Sequence, residues 1–225
     1  MKRKIFLILA LCLIGIPVAT FAQIPYFAGT VGNNNLYGYT SLKLRPGINV
    51  QETYTTFQYG IGNSFASGMD LYTGPNSAYL GILVRYGMKI SPYFNIGAQA
   101  TPSFNLNNNM RMDYTTVALY MDGIITRNKN LIWTANTWWG INRNSEYTLS
   151  QYIYLGYNIT FKNGTTLTPM AGGIYSWKFD QDMDMGIGAY YNVKQWNFYL
   201  WCNDFFKSHP RIIVGVDFVM KFSRK

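Results

Sequence analysis

The stretch RIIVGVDFVMKF, Arg211 to Phe222, decides the fold. Ile212, Val214, Val216, Phe218, Met220 and Phe222 are apolar at every second position, and Arg211, Ile213, Gly215, Asp217, Val219 and Lys221 stand between them. Successive side chains on a strand point to opposite sides, so this segment has one wholly apolar face and one mixed face bearing charge. The question is which solvent each face meets.

The same alternation recurs along the chain. From Ala78 to Ile90 one face carries Leu80, Ile82, Val84, Tyr86 and Met88, and the other carries Tyr79, Gly81, Arg85 and Lys89. The segments Tyr147–Phe161, Met183–Val193 and Trp196–Asn203 follow it too, with Gln151 an exception on the first. Cutting at turn residues predicts strands near 36–46, 48–61, 66–73, 77–90, 93–102, 111–126, 131–142, 146–161, 165–178, 183–193, 195–204 and 211–222. The pattern predicts an all-β chain of twelve strands, with ten to fourteen compatible, and no helical period competes with it. Shorter breaks (Ser91-Pro92, 127–130, 162–164, Lys194-Gln195) interleave with somewhat longer ones (103–110, 204–210). An even number of strands with both ends on one side produces that alternation.

The N-terminus bears on the compartment. Lys2, Arg3 and Lys4 precede an apolar run from Ile5 to Val18 and then Ala19-Thr20-Phe21-Ala22, the layout of a cleaved export signal over residues 1–22. The run is too short for a comfortable membrane anchor. Cys12 follows Leu11 too early in the run to be a lipidation site. Cleavage after Ala22 leaves 203 of 225 residues, and loss of three basic residues leaves 16 against ten acidic, a net charge of +6. Residues 23–35 read as a lead-in, 36–222 as the strand domain and 223–225 as a tail.

Composition narrows the classes further. Nineteen Tyr, fourteen Phe, six Trp and 21 Gly accompany only 13% charged residues, which suits strands and tight turns. The basic residues are scattered singly, which speaks against nucleic acid. Cys202 is the one cysteine after the leader, so neither an internal disulfide nor a Cys/His metal cluster is expected. No cofactor is expected either.

A secreted soluble β-sandwich with a binding role is the rival reading, and three features oppose it. The mixed faces are rich in Tyr, Asn, Gly and Thr where a soluble surface carries Lys and Glu. The strands are about 11 residues long, enough to cross an apolar band of roughly 25 Å when tilted, whereas soluble strands average about 5–6. Aromatic residues such as Tyr93, Phe94, Trp177 and Trp196 gather near strand ends, as in interfacial girdles. The expected fold is therefore a closed antiparallel up-and-down transmembrane β-barrel, its apolar face in lipid.

A leader followed by alternating aromatic-rich strands and a last strand ending on Phe222 resembles the outer-membrane β-barrel proteins of Gram-negative bacteria. The resemblance implies outer-membrane lipid as surroundings, and periplasmic chaperones and the barrel-assembly machinery as partners during biogenesis. It also implies that Phe218, Met220 and Phe222 form the assembly signal, though Ser223-Arg224-Lys225 follow the terminal aromatic. It covers the whole mature chain as architecture and singles out no functional family.

If the apolar faces meet lipid, the lumen receives Lys43, Arg45, Glu52, Asp70, Arg85, Lys89, Asp122, Lys178, Asp184, Arg211, Asp217 and Lys221. Seven of these are basic and five acidic, which leads to an expectation of a narrow channel for small hydrophilic, anionic solutes. The alternative is a closed structural or envelope-assembly barrel in which the same charges pair and tyrosines fill the gaps. Lipid hydrolysis is not expected, because His209 is the only histidine and Ser208 beside it points away on an extended chain. Asp180, Asp182 and Asp184 lack a glycine-containing calcium loop, so no metal site is expected.

Overall fold

The computed structural model describes residues 31–48, 50–91, 93–177 and 182–222. Residues 1–30, which hold the expected leader and part of the expected lead-in, Lys178, Asp180 and residues 223–225 lie outside the described residues. Twelve antiparallel strands form one closed barrel. They are β1 (Asn35–Arg45), β2 (Val50–Ile61), β3 (Phe65–Gly74), β4 (Ser77–Ser91), β5 (Phe94–Asn105), β6 (Arg111–Ile124), β7 (Leu131–Asn142), β8 (Tyr147–Tyr157, continued at Ile159–Thr160), β9 (Thr166–Trp177), β10 (Asp182–Val193), β11 (Trp196–Asn203) and β12 (Arg211–Lys221). Each pairs with its neighbours in sequence, and β12 closes on β1 from Asn35↔Lys221 to Leu44↔Ile212. Closure pairs every sheet edge, which a membrane requires because lipid offers no hydrogen bonds.

Register follows from the alternation, since a slip of one residue would turn every apolar side chain into the lumen. On β4, Ile82, Val84, Tyr86 and Met88 are exposed outward while Gly81, Leu83 and Gly87 are buried inside. At about 3.3 Å per residue and a tilt of roughly 45°, the 11 residues of β12 rise about 25 Å, the height of an outer-membrane apolar band. Outward aromatics pair near the rim that holds residues 35 and 221, here the terminal rim: Phe65 with Tyr86 at 5.0 Å between centroids, Phe94 with Trp133 at 6.0 Å, Trp196 with Phe218 at 5.1 Å. Loop 204–210 lies at the opposite, loop rim.

Two local departures have clear causes. Strand β8 is interrupted at Asn158, next to Tyr157, which the flanking pairs Gly156↔Met170 and Ile159↔Leu167 set opposite Pro169, a residue with no N–H to donate; Asn158 donates from its backbone to Asn130 O at 2.7 Å and accepts from Thr168 Oγ1 at 2.8 Å. On β6 a bulge opposite Ser103 and Phe104 leaves Asp113 as the extra residue. Inside the barrel, Gly215 makes room for the ring of Tyr199. A Cβ there would stand 2.0 Å from the Tyr199 hydroxyl, which reaches over to Thr40 O at 3.4 Å.

Candidate functional site: the barrel lumen

The inward faces enclose a cavity of about 840 Å³. It extends from the loop rim, where Asn142, Arg143, Asn144 and Arg211 line it, to a floor in mid-barrel made by Gln58, Arg85, Gln99, Tyr120, Asn136 and Tyr154. The walls are aromatic. Tyr39 lies parallel to Tyr199 at 5.6 Å, and Tyr154 meets Trp201 at 4.6 Å. Amides tie the rings in place: Tyr120 donates to Gln99 Oε1 at 3.1 Å, and Trp138 Nε1 donates to Asn136 Oδ1 at 3.0 Å.

The inward charges separate into three groups. At the loop rim, Asp204 Oδ2 accepts from Arg45 Nη2 at 2.6 Å and from Arg211 Nη2 at 3.1 Å, and Arg45 Nη1 donates to His209 O at 3.0 Å. Burial opposes the charge of Asp204, but the two guanidiniums outweigh it and hold its carboxyl below the ordinary value. Lys43 sits 3.9 Å from Glu52 and over the Tyr54 ring. Asp184 accepts the backbone N–H groups of Met185 and Phe206, fastening loop 204–210 to β10.

In mid-barrel, Arg85 places its guanidinium 4.3 Å from the centre of the Tyr120 ring, a cation–π contact. Asp70 stands on the cavity wall opposite Thr56. Toward the terminal rim the carboxylates leave the cavity. Asp122 accepts from Asn95 Nδ2 at 2.5 Å, and Asp217, with no exposed surface, accepts from Asn197 Nδ2 at 3.0 Å. Lys89 and Lys221 are exposed at this rim and do not line the cavity. The bulge between Lys89 and Ser91 ends regular pairing there.

Sequence alternation missed two charges at the mouth. Asp113 belongs by parity to the lipid face, and only the bulge turns it inward, where Asn105 Nδ2 donates to its Oδ2 at 2.8 Å. Arg143 comes from the β7–β8 loop, where strand parity gives no direction; its N–H donates to Asp113 O at 2.9 Å. The cavity wall thus carries Lys43, Arg85, Arg143 and Arg211 against Asp70 and Asp113. Among the described residues no carboxylate lies within 4 Å of Arg85 or Arg143. His209 rests on Gly47 with Nδ1 3.1 Å from Pro46 O, so it serves as a brace between two loops.

Below the floor the lumen is packed. Val31, Ala66, Ile132, Met170, Tyr190 and Val219 are all under a tenth exposed and belong to one buried cluster. Val31 reaches this cluster from the lead-in, which turns across the terminal mouth before β1 begins.

No known protein family and no curated protein matches the chain. Solved structures do. The KdgM porin is 17% identical, with 83% of this chain and 99% of that one covered and a TM-score of 0.60. It has also been solved in complex with disordered oligogalacturonate, at 16% identity, coverage of 83% and 99%, and a TM-score of 0.58. The NanC porin is 11% identical over 80% and 98% of the two chains, with a TM-score of 0.56. At these identities the likeness is one of fold, and it agrees with the closed barrel and its apolar exterior. The chain shares the closed antiparallel β-barrel fold of these porins.

Proposed function

We propose that the barrel is a narrow channel for small hydrophilic solutes and that it favours anions. The carrying observation is the cavity itself: a polar, aromatic-walled space open at the loop rim, with four basic side chains to two acidic and two arginines that have no carboxylate within 4 Å among the described residues. A positive, water-filled narrow bore attracts anions and repels cations. The oligogalacturonate bound by the structurally similar KdgM porin is a polyanion, which is consistent with that class of solute.

A second reading, a closed structural or assembly barrel, draws on the packed layer below the floor. Liposome swelling separates the two. Proteoliposomes of the purified protein, or of a Val31→Asp variant with the terminal mouth disturbed, are expected to swell in isotonic small solutes at rates that fall with solute size. Swelling no faster than in protein-free liposomes for both proteins would refute transport.

A further inference from the structure

At the terminal mouth one side of the barrel, β2 to β5, lacks bulk of its own. On adjacent strands the inward residues near this rim are Gly60, Ala66, Gly87 and Gly97, and each of them is buried. Residues with so little side chain are covered in a barrel lumen only if something else occupies the space in front of them. At Gly60 the occupant is explicit. The carbonyl oxygen of Gly32 lies 1.8 Å from where a Cβ on Gly60 would stand, so the lead-in backbone is seated directly on the bare backbone of β2.

The seat is specific. Gly32 and Asn34 both have left-handed backbone conformations (φ 83° and 57°), which reverse the chain just before β1 and carry Val31 into the buried cluster. Asn34 N donates to Gly60 O at 3.0 Å, Gly62 N donates to Asn33 Oδ1 at 3.1 Å, and Asn35 Nδ2 donates to Val31 O at 2.7 Å. On the other side, Phe222 N donates to Asn34 O at 3.0 Å, so the turn bridges the strands on both sides of the barrel seam.

We infer that the turn Val31–Asn34 is a stopper for the terminal mouth, and that solute crosses only while it is unseated. The inference rests on the channel reading and adds its gate. The stopper is a short segment held by a few hydrogen bonds and one apolar side chain, the kind of contact that opens locally while the barrel stays folded. Behind the turn stand Gly60 and its partner Ala66, so unseating it leaves no large side chain on that side of the mouth.

Single-channel recording in planar bilayers tests it with two substitutions. Gly60→Val places a side chain where the Gly32 carbonyl sits. Val31→Asp puts a carboxylate into the apolar cluster and changes no strand residue, so it serves if Gly60→Val fails to fold. Gly173→Ala is the control, on the lipid face with nothing within 4 Å of the new methyl group. The expected result is brief, rare openings in the wild type and the control, and at least a tenfold larger open fraction in the two stopper variants. Equal open fractions in all four would overturn the stopper and leave the channel standing. Silence in all four would overturn the channel reading and the gate with it.

Discussion

Arg85→Glu is the sharpest test of how the lumen selects. The guanidinium stands at the cavity floor, held over Tyr120, with no carboxylate within 4 Å among the described residues. A permeating ion passes within roughly 5 Å of it, where two unit charges in water interact by about 0.8 kcal/mol. Reversing the sign changes the energy of an anion by about 1.7 kcal/mol, and that of a cation by as much in the opposite sense. Screening over a Debye length of about 10 Å reduces each to about 1 kcal/mol. The anion-to-cation permeability ratio should therefore fall by about 2 kcal/mol, or roughly thirtyfold. Lys89→Glu makes the same charge change at the exposed terminal rim, outside the cavity, and should move the ratio less than about threefold. Zero-current potentials in a salt gradient measure both, with heat-modifiable gel migration confirming folded barrels. A shift under about twofold for Arg85→Glu, or equal shifts for the two variants, would mean that ions do not pass this floor.

Three further outcomes follow from particular contacts. Asp204→Ala leaves Arg45 and Arg211 facing each other; because both are about a quarter exposed and can rehydrate, the expected loss is about 2 kcal/mol rather than the larger cost of a fully buried pair, measured by urea unfolding in vesicles. Since the folded Asp204 carboxyl is held low, its contribution is present above about pH 4 and lost as pH falls through the lowered value, so wild type and Asp204→Asn should converge in acid, and a constant difference would contradict the assignment. Gly215→Val drives a side chain into the Tyr199 hydroxyl and should cost about 1–3 kcal/mol, while an unchanged urea midpoint would contradict the close packing. Phe222 is half exposed at the terminal rim, and we propose that its ring serves there as an assembly signal; Phe222→Ala should then lower the yield of assembled barrel severalfold and leave the urea midpoint of the assembled fraction unchanged, whereas undiminished yield would refute that role.

The strands were legible because period-two alternation is a local property. The predicted segment 131–142 coincides with β7, and 211–222 exceeds β12 by one residue. What alternation could not show depends on partners distant in sequence. The break at Asn158 follows the residue that faces Pro169 across the ladder, and Asp113 turns inward because β5 opposes it with one residue fewer. Lys89 has inward parity, yet it sits at a bulged rim where parity no longer places a side chain in the bore. Arg211 and Asp217, too far apart on one strand to pair, find Asp204 in the preceding loop and Asn197 on β11. The occupation of the mouth by Val31 was least visible, because lead-in residues have no period and the small residues behind them read as ordinary strand glycines.

The claim that the lumen is an anion-favouring path is tested most directly by the current through the wild-type and Val31→Asp proteins in a planar bilayer under a salt gradient. The account predicts stepwise currents whose zero-current potential has the sign set by chloride. A membrane that stays silent with both proteins, or a zero-current potential of the cation sign, would contradict it.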